Sequence, residues 1–214
     1  MNKNTFAKRT LDIILTIMLL FLMSYQVTGD FWHEWLGIAM TVLVIVHHIL
    51  NRHWYTALFK GKYTAYRTVI TVVDCLLLIS FALAALTGIS MSAYAVPVLY
   101  GLIPVMTAMK LHLGVSWWSF VLMSFHIGLH LRSFFAGLKV SERAKLIIKI
   151  VLIILGAIGI VLLFLDDVPK YLTFRVHFAT HFLEGPVIVI ILKNILMMLP
   201  WITSGIFGYN WKEK

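Results

Sequence analysis

The sequence is short of charge, cysteine and proline, and each shortage excludes a class of protein. Only 13% of the 214 residues are charged, whereas 61% are hydrophobic; a soluble domain of this size is nearer half apolar. The one cysteine, Cys75, excludes an intrachain disulfide and any cysteine-ligated iron–sulfur cluster within the chain. With only five prolines, long apolar runs stay uninterrupted, and the composition therefore indicates a membrane protein.

Apolar runs long enough to cross a bilayer recur along the chain, each reaching the roughly 20 helical residues that a hydrocarbon core of about 30 Å requires. The clear runs cover residues 11–27, 31–50, 68–93, 111–131 and 146–165. A further run, from residue 187 to about 207, is interrupted by Lys193 and Pro200. The sequence predicts an all-α, polytopic membrane bundle of six transmembrane helices, or of five if the last run does not cross.

One integral membrane domain is expected over residues 1–214, because the connections are too short for a flavin, nucleotide or iron–sulfur domain. Residues 11–131 are expected to form a four-helix core, and residues 145–209 the C-terminal helices. The first apolar run is too long for a typical signal-peptide core, and no Ala-x-Ala cleavage site follows it. It is therefore interpreted as an uncleaved span.

The net charge of +9 is interpreted as a topology signal, and no nucleic-acid partner is expected. Positive residues gather in alternate segments, among them Lys8, Arg9, Arg52, Lys60, Lys62, Arg67, Arg132 and Lys139. Acids concentrate in the intervening segments, as do Asp30, Glu34, Asp166 and Asp167. By the positive-inside rule the N-terminus is cytoplasmic and the chain is multi-pass, with the lipid bilayer as its partner.

Histidines recur at one spacing on two of the predicted spans. His33 and His47 lie fourteen residues apart on the second span, and His112 and His126 lie fourteen apart on the fourth. Fourteen residues of α-helix return a side chain to within about 40° of its starting direction, about 21 Å further along the axis. Because both spans run inward, His33 and His112 are expected at one outer level, and His47 and His126 at one inner level.

Paired imidazoles facing across a bundle are typical of the axial ligands of haem iron. A haem also offsets the cost of burying imidazole in an apolar environment. The sequence therefore predicts two haem b groups, with Gly37 and Gly114 letting a porphyrin approach the backbone. At the inner level the ligand is not unique, because His48 neighbours His47 and His130 lies one turn beyond His126.

Two longer segments resemble known membrane cytochromes: LMSYQVTGDFWHEWLGIAMTVLVIVHHILNRHWY and LHLGVSWWSFVLMSFHIGLH. The paired histidine spacing resembles that of the b subunit of quinol–cytochrome c reductases and, nearly, that of ferric reductases and NADPH oxidases. Over most of its length the chain is more similar to a compact bacterial family known only as a cytochrome-like domain of unknown function. Its most specific elements are His-x-Trp-Leu-Gly and His-His-x-Leu-Asn-Arg.

That resemblance implies haem b, redox work and a bacterial cytoplasmic membrane, but no substrate. The chain is expected to depart from the reductases, because no flavin or nicotinamide domain is expected after its helices. The preferred hypothesis is electron transfer across the membrane, between a quinol or cytoplasmic reductant and an acceptor at the outer face, with a quinone as a further candidate ligand. One alternative is an outer-face oxidoreductase acting on quinone, superoxide or ferric iron. Another is a haem-free transporter that uses histidines for a metal ion or protons.

Other charged residues carry hypotheses of their own. Haem propionates are anionic, so Arg52 and Arg132 at the inner face are candidate partners. Lys110 or Arg175 could serve at the outer face, although ordinary topology charges explain all four equally well.

Asp74 and Lys193 lie within predicted spans, where charge is a functional hypothesis by default. They could pair with each other or handle protons for a quinone, and Lys193 could instead snorkel to the interface. His177 and His181, four residues apart, would share a face of an amphipathic helix at the outer surface. There they could form a metal or quinone site, although two wet interfacial imidazoles are the favoured interpretation.

Overall fold

The computed structural model describes residues 3–178 and 185–208, and within them it contains helices and turns but no strand. The long helices are α1 (Lys3–Leu22), α2 (Tyr25–Leu50), α4 (Ala65–Met91), α5 (Val105–Ala136), α6 (Glu142–Leu165) and α8 (Val187–Phe207). Two short helices, α3 (His53–Ala57) and α7 (Val168–Leu172), lie in connections, and a 3-10 turn occupies Pro97–Leu99. The predicted all-α class is confirmed.

Within residues 3–178 and 185–208, four helices are long and apolar enough to cross a membrane: α2, α4, α6 and α8. The chain is thus a multi-pass membrane protein, and the interrupted run around Lys193 and Pro200 is a helix of that kind. Within the described residues, helices α1 and α5 do not meet the same combined criterion of length, hydropathy and low charge. The predicted count of six spans stays a prediction for these two helices.

The first apolar run ends earlier than predicted. Helix α1 stops at Leu22, and the chain reverses at Met23 and Ser24, so residues 25–27 belong to the following helix. Inside α2, Gly29 departs from helical geometry with φ 61° and ψ 176°, a conformation that favours glycine. The break between the first two predicted runs, at residues 28–30, is therefore present as a kink in α2, whereas the chain reverses one turn upstream.

Close backbone packing joins the C-terminal helices to α5. A Cβ added to Gly159 of α6 would lie 2.1 Å from the Leu196 carbonyl oxygen of α8, and one on Gly128 of α5 would lie 2.3 Å from the Ile202 carbonyl oxygen. Gly205 of α8 meets the α5 backbone at 2.7 Å. Only glycine fits such contacts, so α8 lies between α5 and α6, packed against both.

The hairpin of α1 and α2 joins the rest through α1. Leu11, Leu15 and Leu19, spaced four residues apart on one face of α1, are buried in the same core as Phe120 of α5 and Met197 of α8. By contrast, α2 touches α4 only lightly, and it hardly approaches α5 at the level of the backbone. This loose packing leaves space between α2 and the α4–α5 pair.

The predicted pairing of Asp74 with Lys193 is wrong. Lys193 of α8 forms an ion pair with Asp166, the residue that follows α6, and both side chains are largely buried. Asp74 instead contacts a histidine of α5. Lys193 and Asp74 thus each have a partner, as the low dielectric of the membrane interior requires.

The predicted amphipathic helix at the outer surface is wrong over its described part. Helix α7 ends at Leu172, and residues 173–178 are not helical, with Phe174 at a φ of 54°. His177 is exposed in this irregular segment, while His181 lies outside the described residues. Because His177 is not in a helix, it does not lie on the predicted helical face.

Candidate functional site

The structure brings His33 of α2 and His112 of α5 together, with ring centroids 6.1 Å apart and planes at 79°. The two helices are far apart in sequence and barely touch elsewhere. The two rings nevertheless lie within contact range of each other. The structure thus brings together the two histidines that were predicted to share a level.

The protonation of His112 follows from its partners. Its Nδ1 lies 2.9 Å from the Ala84 carbonyl oxygen of α4 and 3.3 Å from Thr87 Oγ1. A carbonyl oxygen can only accept a hydrogen bond, so Nδ1 carries the proton and Nε2 keeps its lone pair. A ring held in this tautomer by a backbone carbonyl is the usual arrangement of a metal-ligating histidine.

Helix α4 also shapes the surroundings of that ring. Gly88 faces it so closely that a Cβ there would lie 3.1 Å from His112 Cε1. On the other helix, His33 Nδ1 is buried without a well-formed hydrogen bond, near the backbone of Leu22. Buried polar atoms without a good partner are uncommon in folded proteins, and they occur at sites that bind an ion or a cofactor. The environment of His33 therefore fits a ligand-binding position.

The inner level gathers more side chains than the outer one. His126 Nδ1 lies 2.7 Å from Asp74 Oδ1 of α4, and the rings of His126 and His130 are 4.4 Å apart. His47 lies within electrostatic range of His130, as does Asp12. The inner histidines of the two hairpins therefore share one region.

The two inner histidines each meet an acid from the other helix of their own hairpin. His126 of α5 forms a hydrogen bond with Asp74 of α4. In the other hairpin, Nδ1 of His47 on α2 lies 3.0 Å from Asp12 Oδ1 of α1, but the two groups are not oriented to form a hydrogen bond. Carboxylates next to ligating imidazoles orient the ring and raise its basicity. Asp12 was missed from the sequence, although an acid within an apolar run was the signal for it.

Of the remaining predicted residues, Gly37 faces open space, whereas Gly114 and Arg132 contact other parts of the protein. Next to Gly37 a Cβ would meet nothing within 4 Å, so the α2 backbone is open one turn after His33. At Gly114 the space is taken by the Phe174 ring, 2.3 Å from an added Cβ. Arg132 lies 5.6 Å over the Tyr66 ring.

Arg175 lines a surface hollow of about 440 Å³ together with Lys170, His177 and Asp167. Asp167 forms an ion pair with Lys170 at 2.8 Å, so the hollow around this predicted propionate partner carries charges of both signs. Lys110 lies within α5 and is half-buried.

A carboxylate that the sequence did not single out fixes the loop beside the outer histidines. Glu34 accepts hydrogen bonds from Ser92 Oγ at 2.8 Å and from the backbone N–H groups of Ala93, Tyr94 and Ala95 at 3.0, 2.8 and 2.9 Å. Successive N–H groups turned to one point form an anion-binding nest. The residue next to His33 thereby anchors the start of the outer loop.

Replacing Glu34 by alanine is expected to loosen that loop. Hydrogen bonds to a charged acceptor each contribute more than neutral ones, so their joint loss should speed amide exchange at residues 93–95 by roughly 10- to 100-fold. Hydrogen–deuterium exchange read by mass spectrometry measures this. The matched control is Glu142→Ala, an acid at the start of α6; equal exchange in both variants would contradict the anchoring role.

Comparison with known proteins adds no family or relative, because no family model, curated protein or solved structure matches the chain.

Proposed function

We propose that this protein is a di-haem b-type cytochrome that carries electrons across a bacterial cytoplasmic membrane. The observation that supports it most is the pair His33 and His112, whose ring centres are 6.1 Å apart. Two imidazoles bound on opposite sides of one metal ion through bonds of about 2 Å have ring centres about 6 Å apart. The residues of the outer level therefore fit an iron porphyrin held between α2 and α5.

The topology of the proposal is six spans with the N-terminus in the cytoplasm. Only two residues separate α1 from α2, which crosses, and α5 is packed between α4 and α8, which both cross. The lower hydropathy of α5 comes from side chains such as His112, Ser119 and His126, which lie on the faces turned to other helices. The cytoplasmic placement of the N-terminus rests on the positive-inside rule.

In this proposal His33 and His112 hold the outer haem, and His47 and His126 hold the inner one, with His48 and His130 beside them. A bound haem supplies a one-electron couple between ferric and ferrous iron. Ala84, through its carbonyl, and Asp74, through its carboxylate, hold the proton on Nδ1 of their histidines, which would leave Nε2 to bind the metal. Arg52 and Arg132 are proposed partners of the inner propionates, and Lys110 and Arg175 of the outer ones.

The absorption spectrum of the purified protein tests the cytochrome proposal. A Soret band, an α-band that sharpens on reduction with dithionite, and two haems per chain in a pyridine haemochrome assay are the expected results. A colourless protein purified from cells with an adequate haem supply would reject the proposal.

Substituting Asp74 by asparagine is expected to raise the midpoint potential of one haem. The carboxylate stabilises the more positive ferric state, and losing a charge-assisted hydrogen bond of about 1–2 kcal/mol corresponds to roughly 50–90 mV for one electron. Redox titration followed in the α-band measures the shift. Asp166→Asn serves as the control in the other buried carboxylate pair; two unchanged potentials in Asp74→Asn would contradict the assignment of His126.

A second candidate is favoured by one observation at the inner level. Ligand atoms of Asp74, His126 and His130 lie within 4.8 Å of one another, close enough to hold a metal ion directly. A haem-free protein of this kind would bind a divalent cation for metal or proton movement. Elemental analysis distinguishes the two: one zinc or similar ion per chain without a Soret band supports this candidate, and iron matched by haem excludes it.

A further inference from the structure

The connection between α2 and α4, residues 51–64, is basic and lies at one face of the membrane. Both flanking helices are long and apolar enough to cross, so the chain between them returns at the face where it emerged. The connection contains Arg52, Lys60 and Lys62 but no acidic residue. The phosphates of lipid headgroups are the anions that surround such a position.

Arg67, in the first turn of α4, folds the end of this connection around its own guanidinium group. Its Nη2 donates hydrogen bonds to the carbonyl oxygens of Ala57 and Lys60 at 2.5 and 2.6 Å, and its Nη1 donates one to the Lys62 carbonyl oxygen at 3.1 Å. Gly61 makes the turn with a φ of 76°, and a Cβ there would lie 3.0 Å from Arg67 Nη1. The turn is therefore shaped before any ligand binds.

The tip of this turn, residues 59–62, presents an apolar ring and two cations. Phe59 is 90% exposed, and Lys60 and Lys62 are exposed as well. A phenyl ring so exposed at a membrane face is stabilised by entering the acyl chains, while lysine ammonium groups reach the phosphates at the headgroup level. The tip thus matches both parts of an anionic phospholipid.

We propose that this tip binds an anionic phospholipid, with the Phe59 ring among the acyl chains and the ammonium groups of Lys60 and Lys62 at the headgroup phosphate. Ordinary topology charges need only be positive and on one side of the membrane. The proposed site also needs the shape that Arg67 imposes, because a preformed turn binds without the entropy cost of ordering it. The inference does not depend on haem, and it uses the proposed six-span topology only to choose a control.

Removing the charge and the shape of the tip separately tests the site. Binding of phosphatidylglycerol and of phosphatidylcholine to the purified protein in detergent is titrated by native mass spectrometry. Lys60→Gln with Lys62→Gln removes the two cations, whereas Arg67→Lys keeps the charge but lacks the planar fork that bonds three carbonyl oxygens. Lys139→Gln with Arg143→Gln is the control, since it removes two exposed cations from another connection at the same face of the proposed topology.

The two kinds of variant should both weaken the tightest binding of phosphatidylglycerol. Each cation near an anionic lipid surface contributes about fivefold to affinity, so we expect roughly 20-fold weaker binding in the double lysine variant. We expect a loss of roughly fivefold in Arg67→Lys, because the turn must then be ordered on binding. The control variant, and phosphatidylcholine binding in every variant, should stay unchanged. An equal loss in the control would overturn the site, and so would unchanged binding in Arg67→Lys.

The environment of residue 59 distinguishes a lipid from a soluble partner. A nitroxide is attached to Phe59→Cys in a Cys75→Ser background, and the protein is placed in nanodiscs that contain phosphatidylglycerol. We expect the label to collide mainly with oxygen, which concentrates in lipid, whereas the same label on Lys139→Cys should collide mainly with a water-soluble nickel chelate. Collisions of the residue 59 label mainly with the chelate would overturn the lipid proposal and leave the tip for a cytoplasmic protein. Haem content is assayed on the same samples, and a colourless protein that keeps this lipid binding would reject the cytochrome proposal alone.

Discussion

His112→Ala is expected to leave the protein with one haem per chain instead of two. His112 is held by the Ala84 carbonyl oxygen in the tautomer that frees Nε2, and its ring is paired with that of His33. Alanine supplies no ligand, and the loss of an axial imidazole leaves the outer porphyrin bound from one side only. Haem per polypeptide, measured by pyridine haemochrome against amino-acid analysis, reports the change.

The outer pair provides a sharper form of this experiment. His33→Ala should lose the same haem, and the double variant should lose no more than either single one, because the proposed function assigns both histidines to one iron. His53→Ala is the matched control, since His53 begins the short helix α3 outside the paired levels, and it should keep both haems. If His33→Ala and His112→Ala both kept two haems, the ligand assignment would be abandoned.

Gly159→Ala is expected to destabilise the C-terminal half of the bundle. The added methyl group would lie 2.1 Å from the Leu196 carbonyl oxygen and 2.8 Å from Pro200 Cδ. A backbone carbonyl cannot rotate away as a side chain can, so α6 and α8 must separate. Overpacking of this kind typically costs about 1–3 kcal/mol, and here two helices lose their contact at once.

Thermal unfolding in detergent, followed by size-exclusion chromatography of heated samples, measures that loss. We expect a melting temperature lower by roughly 5–10 °C, or no monodisperse protein at all. Gly185→Ala is the control, because an added Cβ there meets nothing within 4 Å, and it should melt like the parent protein. Equal melting of the two variants would mean that the close approach of α6 and α8 is absent in the membrane.

Much of the fold followed from the apolar runs. The helices α2, α4, α6 and α8 appear where apolar residues accumulate, because burying backbone polar groups in lipid requires a continuous helix. The boundaries were less accurate, since the reversal at Met23 and Ser24 and the kink at Gly29 depend on turn geometry. The ion pair of Lys193 with Asp166 was missed, because the contact between α6 and α8 is set by glycine packing that no local pattern reveals.

The same division holds at the candidate site. The fourteen-residue spacing indicated which histidines share a face of one helix, because helix geometry fixes azimuth and rise from residue number. The expectation that His33 and His112 lie together needed the predicted direction of both spans as well. The spacing could not reveal the Ala84 carbonyl behind His112, the acid beside His126, or the nest around Glu34. Those contacts join residues from different helices, and spacing within one helix carries no information about them.

By itself, the sequence determined that the chain is apolar and helical, and which histidines share a face of one helix, because these properties depend on composition and on the regular geometry of one helix. Only the tertiary structure decided which groups hold each imidazole, that Lys193 pairs with Asp166, and that space remains between α2 and the α4–α5 pair. Such features depend on how closely whole helices approach one another. That distance is set by glycines and buried side chains acting together across the bundle.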